Sequence, residues 1–211
     1  MRGRVESVNV GVVRTGAWTG DKERTAIDKR PVEGPVRIGS EGLAGDTVCD
    51  LRHHGGPDQA VYAYSTADLD FWSAELDAPV PPGGVGENLT LRDVDCSGAV
   101  VGERWQVGDA VLVVRLPRIP CRVFAGFRAT PDLVKRFMRA GRPGAYLSVE
   151  SPAAVTRGDP VTVLDRPDHG VTVAEVMAAQ AGRPDLLPRI VAARGDLGVR
   201  GRRWLDARTG G

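Results

Sequence analysis

The sequence predicts a mainly β fold with helices (α+β): a barrel-like or strongly curved sheet with a small helical appendage at its end. Three observations carry this. The 211 residues include 27 glycines and 15 prolines, which punctuate the chain as many short strands joined by tight turns require. β-branched and aromatic runs recur in mixed order, with no regular βαβ alternation. From about residue 170 the texture changes to helical spacing, so the expected division is 1–169 for the barrel and 170–211 for the appendage.

The elements follow in order. "RVESVNVGVV" (4–13) is rich in valine and reads as a strand. "TAIDKRPVEGPVRI" (25–38) reads as a second extended segment, placed by its prolines at an edge or with a break. "QAVYAYS" (59–65) is a strand that runs into a helix at 66–79, where Leu69, Trp72 and Leu76 share a face behind a Thr66 or Asp68 cap. "ENLTL", "VVGERWQVGDAVLVVRL", "AYLSVE" and "DPVTVLD" supply further strands, of which "AVLVVRL" (110–116) is the most continuously apolar. "TPDLVKRFMRAG" (130–141) reads as a helix capped by Thr130, with Pro131 at its first position and Gly141 ending it. In the tail, Thr172 and Glu175 form a capping-box pattern, and two short helical patterns follow.

Composition limits the function. With 42% apolar and 26% charged residues this is a globular chain, and a net charge of +1 gives no electrostatic reason to expect nucleic acid or an anionic membrane as partner. Neither a membrane-spanning run nor a signal peptide is legible. Cys49, Cys96 and Cys121 are odd in number and widely spaced, which argues against a disulfide framework and for a reducing cytoplasm.

Three stretches have the residue types for chemistry. In "GLAGDTVCDLRHHGGPDQAVYAY" (42–64), Gly55 and Gly56 permit positive φ and close approach to a ligand, although a tight turn between strands explains them as well. Cys49, His53 and His54 are zinc-ligand types, but adjacent side chains on an extended chain diverge and no second pair completes four ligands. "GGVGENLTL" (83–91) fails the dinucleotide fingerprint; its Glu87 and Asn88 are turn formers or groups lining a site. In "LPRIPCRVFAGF" (116–127), Cys121 follows the most apolar strand, between Arg118 and Arg122. Nearby guanidinium favours thiolate, and arginine recognises phosphate bidentately. The residues alone leave core packing, a nucleophile, a sulfur carrier and a metal ligand open.

In order and spacing, "GLAGDTVCDLRHHGGPDQAVYAY", "GVGENLT" and "LPRIPCRVF" resemble the MOSC family, the domain type at the C-terminus of molybdenum cofactor sulfurases, and in particular its stand-alone bacterial YiiM-like branch. "GRPGAYLSV" (141–149) and "VTVAE" (171–175) resemble that branch too, so the resemblance spans nearly the whole chain. It implies a β-barrel-like fold with a C-terminal three-helix appendage and molybdenum cofactor in a cleft, with Cys121 as the ligand to the metal. Candidates for the cofactor's phosphate are Arg118, Arg122 and Arg142; His54, Gly55, Gly56, Asp58 and Asn88 belong to the matching motifs and would shape the cleft. The position after "HGGPD", usually basic in this family, is Gln59 here.

The activity implied is reduction of N-hydroxylated compounds, such as hydroxylaminopurines, to amines. Cys121 would hold the metal, and His54 or Asp58 would deliver protons. No nicotinamide or flavin fingerprint is present, and three scattered cysteines cannot ligate an iron–sulfur cluster, so electrons would come from a separate reductase. The partners expected are therefore a small-molecule substrate and that reductase; a homodimer is compatible with the sequence. The alternatives are a persulfide-carrying sulfurtransferase using Cys121, a non-catalytic carrier of the cofactor, and, last, a Cys–His hydrolase using Cys121 and His54.

Overall fold

The protein is described by a computed structural model over residues 2–50 and 54–210. In chain order its strands are β1 (Arg2–Thr15), β2 (Arg24–Pro31), β3 (Val36–Gly39), β4 (Gly42–Leu43), β5 (Val61–Ser65), β6 (Leu89–Arg92), β7 (Arg104–Val107), β8 (Ala110–Leu116), β9 (Ala145–Ser151), β10 (Ala153–Val155) and β11 (Pro160–Asp165). Its helices are α1 (Thr66–Leu76), α2 (Arg122–Phe127), α3 (Leu133–Ala140), α4 (Val173–Gln180), α5 (Leu187–Val191) and α6 (Val199–Thr209).

The strands hydrogen-bond in the order β11-β7-β8-β9-β5-β6-β1, and β1 pairs again with β11, closing a seven-stranded barrel. Closure leaves these strands no open edge. The length of β1 allows this: Arg2–Arg4 pair with β11, Arg4–Val8 with β6, and Asn9–Thr15 run past the barrel to hold β2 as a flange. All pairings are antiparallel except β5–β6, where α1 makes the crossover that a parallel pair demands. β3, β4 and β10 form a separate three-stranded sheet. The single extended segment expected over 25–38 is thus two strands in different sheets, separated where Pro31 and Pro35 interrupt the ladder.

One continuous hydrophobic cluster fills the barrel and extends beneath the appendage, from Val5 and Leu112 to Val176, Ile190 and Leu205. Trp72 of α1 stacks on Phe137 of α3 at 5.3 Å, and its indole N–H donates to the Tyr64 hydroxyl at 2.8 Å. Burial of each such ring contributes roughly 1.5–3 kcal/mol. The tail joins the barrel through backbone pairing of 99–101 with 171–173. α6 lies so close to β8 that a Cβ on Gly201 would come within 2.5 Å of Leu116. Glycine is required there by approach rather than by φ.

Two helix starts differ from expectation. α1 is capped by Ser65, whose hydroxyl accepts the Asp68 N–H, because Ser65 still has extended dihedrals and Thr66 is already helical. α3 starts at Leu133 rather than beside Thr130, whose hydroxyl bonds back to the Arg128 carbonyl within a turn set up by Ala129 at φ 50°. The Thr172–Glu175 capping box of α4 is formed as the sequence predicts. Among the described residues no helix is long and apolar enough to cross a membrane.

Candidate functional site

A cleft of about 1200 Å³ opens between β2, the segments 41–50 and 54–60, and the segment that leads from β8 into α2. Cys121, Arg118 and Arg122 line it, with His54, Gly55 and Asn88 from the other two motifs. Three stretches far apart in sequence therefore meet on one surface.

Cys121 is held at the N-terminus of α2 with extended backbone, and its carbonyl accepts the Phe124 and Ala125 N–H groups. The helix is pinned by Phe124, buried edge-on against Phe137 at 5.5 Å. The thiol is partly buried on the cleft wall. Arg118 is only 3% exposed, with its guanidinium 4.9 Å from the Phe124 ring centroid and 5.5 Å from that of Tyr62. Its Nε is buried with no hydrogen-bond partner among the described residues. Aromatic faces compensate a buried cation only in part, so this group is suited to an anion arriving from the cleft. Arg122 is exposed on the same wall.

The floor is a polar network. The Asp46 carboxylate receives the Gly11 N–H at 2.6 Å, Lys29 Nζ at 2.7 and 2.5 Å, and Asn88 Nδ2 at 2.8 Å. Burial pushes the Lys29 ammonium below the usual lysine range, while Asp46 pulls it back up. Asn88 also accepts the Tyr62 N–H through Oδ1, so one side chain fixes both the floor and the start of β5. Its neighbour Glu87 turns inward and accepts from the Gly83 N–H, the Val85 N–H and the Thr90 hydroxyl. Burial pushes the Glu87 carboxyl above the ordinary range, against the pull of those hydrogen bonds. Tyr146 of β9 packs on Tyr62 at 5.0 Å, and burial pushes its hydroxyl pKa up while the Arg118 charge lowers it.

The "HGGPD" loop divides its residues. Gly55 and Gly56 take φ of 75° and 83°, the left-handed region that glycine tolerates. His54 stands at the cleft margin, but Asp58 is not among the lining residues: its carboxylate accepts the Val199 N–H of α6 at 2.7 Å. Arg142 also lies elsewhere, paired with Asp68 at 2.5 Å and packed 4.4 Å from the Phe71 ring centroid. His53, weighed as a zinc ligand, lies outside the described residues. Lys29 is a cleft residue that no motif announces and that β2 pairing brings in; Asp46, Tyr62 and Tyr146 line the cleft too and stand in the 42–64 and 141–149 stretches, where nothing singles them out.

Fold and site define the class as a closed barrel with a side cleft that brings together a partly buried thiol, a buried arginine and a lysine paired with Asp46. The chain belongs to the MOSC domain family, which matches residues 50–162. It is 33% identical over 169 residues to the uncharacterized protein YflK of Bacillus subtilis, covering 80% of this chain and 76% of that protein. It is 32% identical over 165 residues to a protein of Gibberella moniliformis named "Reductase", covering 76% of this chain but 29% of that one. Among solved structures, YiiM from Geobacillus stearothermophilus superposes with a TM-score of 0.81 over 98% of both chains, at 25% identity.

Proposed function

We propose that the protein binds molybdenum cofactor and reduces N-hydroxylated compounds to amines with electrons from a separate reductase. The observation that carries this reading is the pairing on one cleft wall of a reachable thiol with a buried guanidinium whose Nε has no hydrogen-bond partner among the described residues. These residues fit the group. A thiolate from Cys121 suits a soft, redox-active metal, and Arg118, Lys29 and Arg122 would meet a phosphate. The family supports the reading, as does the name "Reductase" of the Gibberella relative.

When bound, the cofactor supplies two electrons to the N–O bond. The balance is R–NHOH plus two electrons and two protons giving R–NH2 and water. The chain's own part is to hold and to protonate. Arg118 and Lys29 would fix the ligand's anionic end, and the Tyr62 and Tyr146 rings would exclude water beside Cys121. His54, at the cleft margin, would deliver a proton to the departing oxygen. Of the two, His54 is placed to donate, because it lines the cleft and Asp58 does not.

The test is molybdenum and pterin content of wild type and Cys121→Ser, made in cells rich in the cofactor, followed by reduction of 6-hydroxylaminopurine with a supplied electron donor. Molybdenum near one per chain, lost in the variant, together with donor-dependent turnover, is the expected result. Protein without molybdenum but with one extra sulfur on Cys121 would replace this reading by sulfur transfer. Tight cofactor binding without turnover would leave a carrier.

A further inference from the structure

α6 carries four arginines against one aspartate, and that aspartate, Asp206, is already taken by Arg194 at 2.8 and 2.9 Å. Charge is unevenly spread along the chain. Residues 170–211 hold seven arginines and four acidic side chains, whereas residues 1–169 hold 21 basic and 23 acidic ones. A nearly neutral protein therefore presents one basic end. Gly201 and Leu205 turn inward, which leaves Arg200, Arg203, Trp204 and Arg208 along one outer side at i, i+3, i+4 and i+8 spacing. Arg203 and Arg208 are exposed and form no ion pair among the described residues; the Arg208 guanidinium lies 4.9 Å from the Trp204 ring centroid.

This side of α6 meets the mouth of the cleft. Arg200 donates to Gln59 Oε1 at 3.3 Å, and Gln59 lines the cleft. Arg200 also shares with Ile119 a cavity of about 190 Å³ that adjoins the cleft. Ile119 and Val199 are 41% and 43% exposed, two of the five large apolar side chains that the described residues leave open to solvent. Their meeting beside an arginine-rich helix has the composition of an interface, apolar at its centre and charged at its rim. Ile119 stands two residues before Cys121, at most about 7 Å away along the chain.

We infer that this face is the docking surface for the electron donor, an acidic redox-carrier protein with carboxylates around its redox group. The assignment rests on the reductase reading, which draws two electrons per N–O bond from outside the chain. Electrons must enter where the cleft meets solvent, and Ile119 stands there on the segment that leads to Cys121. Ile119 and Val199 would seat against the carrier's redox group, while Arg203 and Arg208 draw in its carboxylates. Redox encounters use small interfaces and depend on electrostatic steering more than on buried area. Each turnover oxidises the carrier by two electrons in all and consumes two protons, as the N–O balance requires. Other polyanions fit less well. α6 offers no row of large exposed apolar side chains to enter a membrane interface. A nucleic acid running past the helix would meet a barrel with more acidic than basic side chains.

The full chain, purified from cofactor-rich cells, is titrated by calorimetry with two acidic carriers, flavodoxin and a plant-type ferredoxin, at about 20 mM and about 200 mM salt. Wild type is compared with the double variant Arg203→Glu, Arg208→Glu, with thermal melts to verify folding. Arg203→Gln with Arg208→Gln takes its place if the reversed pair fails to fold. At least one carrier binds wild type at low salt, and high salt and charge reversal each weaken it by about tenfold or more. With that carrier as donor, its KM rises by a similar factor in the variant, while turnover with dithionite, which needs no docking, is unchanged. Binding of neither carrier, or equal binding by wild type and variant, overturns the docking face. So does reversal-sensitive binding of phosphatidylglycerol vesicles or duplex DNA in place of a carrier. If carrier binding is lost on reversal but no donor supports reduction of 6-hydroxylaminopurine, the reductase reading fails and the docking face stands. If carrier-driven reduction proceeds with KM unchanged in the variant, the docking face fails and the reductase reading stands.

Discussion

The Asp58 carboxylate accepts the Val199 backbone N–H at 2.7 Å, joining the "HGGPD" loop to the first turn of α6 across 141 positions of chain. Gly198, the residue before the helix, has no room for more: a Cβ there would lie 2.6 Å from Asp58 Cγ. The loop that borders the cleft and the helix that supplies Arg200 are thereby fixed to each other.

Asp58 therefore acts as a helix cap supplied from a distant loop. Asp58→Ala should lower unfolding stability by about 1 kcal/mol, and Asp58→Asn, which caps about as well, should recover most of it. Urea titrations of the three proteins measure this. A loss in the asparagine variant equal to that in alanine would show that charge, not capping, is what α6 needs.

The Lys29–Asp46 pair lies deeper. The two side chains are 10% and 8% exposed, so removing one leaves the other charged and largely out of water. Lys29→Met should destabilise the protein on the order of 3 kcal/mol, far more than removing a solvent-exposed pair such as Arg183–Asp185. Because Asp46 also anchors Asn88 and Gly11, the same variant should raise amide exchange at β5 and in the middle of β1. Exchange rates confined to wild-type values there would contradict the network.

Acid should loosen the appendage by way of Glu175. Burial raises its pKa somewhat, but the Thr172 N–H and Arg189 outweigh that and hold the folded carboxyl below the usual carboxylate range. A depressed carboxylate contributes stability above its unfolded pKa and loses it as pH falls through the folded value. Glu175→Gln keeps the capping-box geometry and loses the Arg189 ion pair. Its deficit against wild type, under about 1 kcal/mol for so exposed a pair, should be present at pH 7 and vanish below the depressed pKa. Thermal melts of both proteins from pH 7 to pH 3 follow the difference directly.

The barrel was legible because β-branched runs and glycine turns are local signals, and the capping box of α4 is local too. Cys121, Arg118, Arg122, His54, Gly55 and Asn88 were assigned to a cleft by the family resemblance of their motifs and all line it, whereas Gly56, assigned with them, is not among its lining residues. Arg142 and Asp58 stand in comparable motifs yet face other elements, since their partners Asp68 and Val199 lie 74 and 141 positions away. Lys29 was illegible for the converse reason, since nothing around it is unusual until β2 pairs with β1. Asp46 stands inside the 42–64 stretch, but its role as acceptor for Lys29, Gly11 and Asn88 is set by partners 17, 35 and 42 positions away. Arg200 beside Gln59 was equally hidden, because a helix from the far end of the chain makes the contact.

Arg118 gives the most discriminating test, because stability and binding should move in opposite directions. Its guanidinium is buried between Tyr62 and Phe124, and its Nε is without a hydrogen-bond partner among the described residues. Keeping a cation there costs desolvation that two ring faces offset only in part. Arg118→Met fills similar volume with an apolar, flexible chain that packs well against aromatics. The variant should be as stable as wild type or more stable by about 1–2 kcal/mol, as when other imperfectly paired buried charges are replaced by apolar residues. It should also lose affinity for anions in the cleft, read as weaker protection by inorganic phosphate or pyrophosphate in thermal melts. A side chain retained for structure would give the reverse pattern: a lower melting temperature with anion protection unchanged. Stability kept and protection lost would mark Arg118 as a residue held in the core for its ligand, at a cost to the fold that a purely structural position would not carry.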